Sequence, residues 1–240
     1  MTETAKSSPA TTTNSSAISL TPYSPLPEAE ALYKQGQTEA KLENYANAVK
    51  IYQSAVKTDA KYANAWRELG RSYMYIQDYQ NAEAAFRKYL ALSPDDHLAY
   101  LNMAWVLYDE KKFAEEVELL EKRIENAPGD GDAHARLGAA YLVLHQPDRA
   151  VPQLERATQI FPKYQFAQFT LGRAYLETHQ DSKAADAFQR AIDINPTDGT
   201  LNSASYALAE HKSSVEIAKK WAERAINEVE LEANQVTLRT

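Results

Sequence analysis

From residue 29 onward, apolar residues recur three and four apart in short runs, and polar clusters separate the runs. Such spacing puts the apolar side chains on one face of an α-helix and the polar ones on the other. The runs come in pairs. In the stretch 63–96, Trp66, Leu69 and Tyr73 mark a first amphipathic helix, Ala82 and Phe86 mark a second, and Gln77-Asp78 is the polar turn between them. Equivalent turns are predicted at Glu110-Lys111-Lys112, His145-Gln146-Pro147 and His179-Gln180-Asp181. The second helices of units two to five stop near Pro94, Pro128, Pro162 and Pro196, with Ala60 at the equivalent place in the first unit. Proline has no N–H to donate and clashes with the preceding turn.

These prolines lie 34 residues apart, and Gly36, Gly70, Gly138 and Gly172 keep the same period. A period of that length is the mark of stacked helical hairpins, because a single hairpin cannot bury enough apolar surface to stand alone. The expected fold class is therefore all-α, a solenoid of antiparallel helix pairs. Its units read 29–62, 63–96, 97–130, 131–164 and 165–197, with a drifted sixth pair at 198–232. Small residues such as Gly70 and Ala82 let the two helices of a unit approach closely. The third unit departs from this, with Ala104 at the glycine position and Glu116 at the small-residue position. In the sixth pair, Leu201, Ala204, Ser205 and Leu208 align after a one-residue shortening, Ser213 with Glu216 forms a capping-box signature, and Ala218, Ala222 and Ala225 return to phase. Pro152 costs little only if the second helix of the fourth unit begins at Asp148 or Arg149. Residues 233–240 read as a tail or the start of a continuation, since no polar capping helix closes the array.

Residues 1–27 read as a disordered tail. Within 1–26 there are twelve Ser or Thr, three Pro and few large apolar side chains, too little burial to offset the entropy of ordering. Asn14-Ser15-Ser16 fits a glycosylation sequon, a short pattern that arises often by chance. No run approaches the roughly 20 apolar residues of a membrane helix, and no signal-peptide core is present. The cytoplasm is the default compartment, and the periplasm is the alternative if the native N-terminus is missing. The net charge of −7, with both signs interspersed, argues against nucleic acid. With no cysteine there is no thiolate nucleophile, disulfide or Cys-based zinc site. His145 and His179 fall in equivalent turns without metal-ligand spacing. No phosphate-binding glycine loop or catalytic triad context appears, so neither an enzyme nor a cofactor or metal is expected.

The arrangement Trp66, Leu69-Gly70, Tyr73, Ala82, Phe86 and Pro94 resembles the tetratricopeptide-repeat signature over roughly residues 29–232. The segments LNSASYALAE and AKKWAERAI resemble bacterial members. The resemblance implies a right-handed superhelix whose first helices line a concave groove that holds a partner's peptide or helix. It places Tyr33, Arg67, Arg71, Met74, Tyr75, Leu101, Trp105, Tyr108, Leu142, Phe166, Phe169 and Arg173 in that groove, beside Leu98, Ala135, Val143 and Tyr206. Aromatic, apolar and Arg side chains there suit a binding surface. The alternative is that these side chains pack on neighbouring helices as the superhelix curls. Some family members hold a C-terminal carboxylate in a five-residue clamp. Here Arg67, Asn102 and Arg136 suit three of the positions, but Arg71 replaces an Asn and Asp132 replaces a Lys. Three roles stay open: an adaptor or assembly scaffold with a protein partner, the interaction arm of an enzyme or transport machine extending past Thr240, and a scaffold that self-associates.

Overall fold

The computed structural model describes residues 23–211 and 216–224, and among these there are helices and turns but no strand. The helices are α1 (Pro27–Lys41), α2 (Tyr45–Thr58), α3 (Ala63–Tyr75), α4 (Tyr79–Leu92), α5 (His97–Asp109), α6 (Phe113–Asn126), α7 (Gly131–Val143), α8 (Pro147–Ile160), α9 (Gln165–Glu177), α10 (Asp181–Ile194) and α11 (Asp198–Glu210). A further helix, α12, covers 216–224. The capping-box reading at Ser213 and the readings of 1–22 and 225–240 fall outside the described residues. The tail expectation ran to residue 27, whereas α1 begins at Pro27. Ahead of it, the Tyr23 hydroxyl and the Leu26 N–H both donate to Asp59, at 2.7 and 3.0 Å.

The turn within each hairpin has one geometry. Glu43, Gln77, Lys111, His145 and His179 all have φ between 55° and 61°. Each stands just beyond the end of a first helix, where a left-handed residue lets two N–H groups turn back onto the last carbonyls. After α3, Gln77 N–H donates to the Met74 carbonyl and Asp78 N–H to the Tyr73 carbonyl. Helix starts are capped where the side chain allows. Asp78, Asp96, Asp130 and Thr197 each accept from the N–H three residues on.

Within a hairpin, the repeated glycine faces a large side chain of the second helix. A Cβ added to Gly70 would lie 2.9 Å from the Phe86 ring, and at Gly172 it would lie 2.7 Å from Phe188. Between hairpins, the repeated tyrosine of the first helix reaches back to the preceding second helix. Gln53 donates to the Tyr73 hydroxyl at 2.6 Å, Tyr175 donates to Glu155 at 2.6 Å, and Tyr141 donates to Glu121. Trp66 is only half-buried, with its indole N–H on the Ala60 carbonyl, whereas Leu69, Tyr73 and Phe86 are buried.

The hairpins form two layers. Odd-numbered helices touch each other in sequence, α1 with α3 through to α9 with α11, while even-numbered helices touch chiefly the odd ones beside them. The odd layer therefore lies on the inner side of the curve. Repeat three breaks the pattern: α5 and α6 are the least closely packed of the first five hairpin pairs. Ala104 replaces the glycine, Leu107 replaces the latching tyrosine, and Glu116, 1% exposed, fills the position of an alanine. The apolar core divides there. Met103, Val106 and Leu107 of α5 belong to the core of repeats one and two, while Val117 and Leu120 of α6 belong to the core of repeats four and five. Helix α8 begins at Pro147, earlier than the start that would make Pro152 harmless. Pro152 lies inside the helix, so the carbonyl of Asp148 loses its intrahelical donor. At the C-terminal end, Trp221 of α12 is buried and its indole N–H donates to Gln189 at 3.2 Å.

Candidate partner-binding face

Large apolar side chains left exposed within helices are distributed unevenly between the layers. Tyr75, Leu98, Trp105, Tyr108, Val143, Phe166 and Tyr206 all lie on odd helices, against Leu92 and Ile217 on the other layer, among the described residues. Helical periodicity accounts for this. The motif residues of each odd helix turn toward its even partner, so the residues between them are left on the inner face.

The expected groove residues separate by environment. Trp105 is 41% exposed, Tyr108 42%, Phe166 43% and Tyr75 56%, and these form the open apolar part together with the exposed Arg71 and Arg173. Tyr33, Arg67, Met74, Leu101 and Phe169 are half-buried. Leu142 is a correction, since it is only 5% exposed and packs into the core of repeats four and five. Ala135 is fully buried as well. The position of Leu142 in its repeat is that of Met74, Tyr108 and Leu176. In repeats four and five the leucines at this position, Leu142 and Leu176, are buried. Some exposed rings also lean on neighbours. Tyr75 stacks on Tyr45 with centroids 4.1 Å apart, Tyr108 meets Phe113 edge-on at 5.6 Å, and Phe169 meets Phe188 at 5.2 Å.

At the N-terminal end the face closes into a cleft of about 290 Å³ between α1, α2 and α3. Glu68 holds two guanidinium groups there, Arg67 Nε at 3.1 Å and Arg71 Nη1 at 3.2 Å. At the other end, α9 and α11 border an open cleft of about 550 Å³ lined by Phe169, Arg173, Asn202 and Tyr206. A second cavity of about 450 Å³ shares Phe169 and Ser203 with it and reaches Phe166. The exposed centre between the ends is formed by Trp105 and Tyr108 of α5.

At the starts of α5 and α7 the structure gathers a group that spacing on one helix could not reveal. His97 Nδ1 lies 2.7 Å from Asp130 Oδ2, and its Nε2 lies 3.3 Å from Asp132. Three potential metal-ligand atoms thus come within 4.8 Å of one another. Asp130 Oδ2 is also 2.7 Å from Arg123 Nε, and Oδ1 accepts the Ala133 N–H. Burial opposes ionisation of Asp130, but the Ala133 N–H, Arg123 and His97 outweigh it and hold the carboxyl below its ordinary range. Asp130 Oδ2 is thus already paired with Arg123 and His97, and the group acts as a polar joint between repeats three and four. The only sequence signal was that His97 and Asp130 are almost one repeat apart. A second cluster is equally closed: Glu83, buried on α4, binds Arg87 at 2.5 Å and Lys112 at 2.7 Å.

Family models described as tetratricopeptide repeat match residues 33–97, 67–131 and 141–204. The chain belongs to the tetratricopeptide-repeat family. Tetratricopeptide repeats form protein–protein interaction scaffolds. Among curated proteins, the chain is 27% identical over 138 residues to superkiller complex protein 3 of Homo sapiens, covering 55% of this chain and 9% of that protein. It is 27% identical over 132 residues to the protein CTR9 homolog of Arabidopsis thaliana, covering 53% and 12%. The tetratricopeptide-repeat chain thus spans about a tenth of the length of these relatives. Among solved structures, PilW, a widely conserved type IV pilus biogenesis factor, superposes with a TM-score of 0.68 at 20% identity, covering 86% of this chain and 93% of its own. YrrB, a tetratricopeptide-repeat protein with an unusual peptide-binding site, gives 0.61 at 21%, covering 77% and 92%. MamA from Desulfovibrio magneticus RS-1 gives 0.65 at 20%, covering 72% and 98%. At these identities the structural likeness speaks for the fold. No described helix is long and apolar enough to cross a membrane.

Proposed function

We propose that the odd-helix face binds an extended peptide or a helix of a partner protein, and that the chain acts as a non-catalytic adaptor or assembly scaffold. The observation that carries this reading is the concentration of exposed Trp, Tyr, Phe and Leu on one helical layer, flanked by Arg71 and Arg173. Apolar surface gathered on one concavity has a free-energy reason to be covered, and these residue types supply large contact area at low entropy cost. Likeness in fold to YrrB, a tetratricopeptide-repeat protein with a peptide-binding site, supports the same reading. The polar clusters elsewhere are closed by their own ion pairs. Display of a peptide library against the chain, counter-selected with Trp105→Ala, tests the proposal. Peptides that prefer the wild type are expected, and a library that does not distinguish the two would overturn it.

A further inference from the structure

At the edge where even helices hand over to odd ones, one repeat carries a large apolar side chain and the others do not. The residue that follows the even helix is Asp59 after α2, Ser93 after α4, Ala127 after α6 and Asn195 after α10, but Phe161 after α8. Phe161 is 45% exposed. It is nonetheless held in place. A Cβ added to Gly131, the first residue of α7, would lie 2.6 Å from the Phe161 ring, so the absent side chain leaves the seat that the ring occupies. On another side the ring meets Tyr164 edge-on, with centroids 6.4 Å apart. Ile160, Phe161, Pro162 and Tyr164 line an open depression of about 590 Å³, and the charged residues in its lining are Asp132 and Lys163.

These two charges are opposite in sign, come from different segments, α7 and the α8–α9 turn, and are not paired with each other. Lys163 is exposed and makes no ion pair among the described residues. Asp132 takes the Tyr164 hydroxyl and lies 3.3 Å from His97 Nε2, and its side chain is still 32% exposed. An ionised carboxylate has about four lone-pair sites, so acceptor capacity is left over. The net charge of −7 makes two copies of the chain repel over most of their surfaces. This edge is different, being apolar with one charge of each sign. Such a surface can be its own complement, because a two-fold axis sets each charge of one copy against the opposite charge of the other.

We propose that the Phe161 depression is a homodimer contact, in which two copies meet about a two-fold axis, Phe161 and Pro162 pack across it, and Lys163 of each copy pairs with Asp132 of the other. The patch is small, so the dimer is weak and reversible. The contact uses neither Trp105 nor Tyr108, so it stands or falls apart from the partner-binding reading.

Sedimentation equilibrium of the full chain over a concentration series tests it. Wild type should show a reversible monomer–dimer equilibrium that weakens as salt is raised. Phe161→Ser should lower the association constant about tenfold or more. Lys163→Glu sets carboxylates against carboxylates across the axis, and Asp132→Lys sets ammonium groups against ammonium groups, so each variant alone should be monomeric. Mixed in equal amounts, the two restore both ion pairs and should form a heterodimer about as strong as the wild-type dimer. Helicity is checked by circular dichroism for every variant. Lys163→Glu breaks no contact within its own chain, so it decides alone if Asp132→Lys disturbs the His97 group. A wild type that stays monomeric throughout the series would overturn the contact. So would variants that dimerise like wild type, or a mixture of folded variants that associates no better than its components.

Discussion

Replacing Glu116 by Gln should flatten the pH dependence of stability between pH 5 and pH 8. Glu116 is 1% exposed, sits where the other five units have alanine, and leaves Oε2 without a hydrogen-bond partner. Burial pushes its carboxyl up from an ordinary 4.5 to about 7, with Arg136 opposing weakly. The native state therefore holds this proton more tightly than the unfolded chain does. Stability is fully present below the unfolded value, falls as pH rises between 4.5 and about 7, and levels off above. At about 1.4 kcal/mol for each tenfold change in proton activity, the loss between pH 5 and pH 8 comes to roughly 2–3 kcal/mol. Gln keeps the size and removes the titration. Urea unfolding followed by circular dichroism at pH 5 and pH 8 should show wild type and variant diverging by that amount, the variant being the more stable at pH 8. Parallel pH profiles for the two proteins would refute the placement of a titrating carboxylate in this interface.

Three further outcomes follow from the same packing. Gly172→Ala puts a Cβ 2.7 Å from the Phe188 ring and should destabilise by about 1–3 kcal/mol, whereas Gly129→Ala meets nothing within 4 Å and should be near neutral; paired urea titrations compare them. Gln77→Gly, at a φ of 61°, should stabilise by about 1 kcal/mol in the same assay, and Gln77→Val should destabilise. Pro152→Ala restores a donor to the Asp148 carbonyl inside α8 and should raise stability by about 1–3 kcal/mol, read from the unfolding midpoint.

Much of the hairpin architecture was legible because each feature has a local cause. Apolar spacing gave the helices, the glycine opposite Phe86 or Phe188 recorded a close approach, and the prolines marked where second helices stop. The turn geometry was less readable. Glutamate, glutamine, lysine and two histidines occupy left-handed positions that glycine would have announced, so nothing in the sequence marks that geometry. On the candidate face, the exposure of Trp105, Tyr108 and Phe166 follows from repeat position alone, because a large aromatic residue between motif positions has no room on the packed side. Leu142 at the same position as Tyr108 is buried instead, and one helix's periodicity carries no information about how its neighbours cover it. The His97 group depends on side chains from different repeats meeting in space. A period brings such residues near one another but does not say which atoms face.

The odd-helix face is tested most directly by calorimetric titration of a peptide selected by display on the wild-type chain, with Trp105→Ala measured alongside and helicity checked for both. Loss of affinity by about tenfold or more with unchanged helicity is the predicted result. Equal affinity for the two proteins would contradict partner binding at the centre of this face.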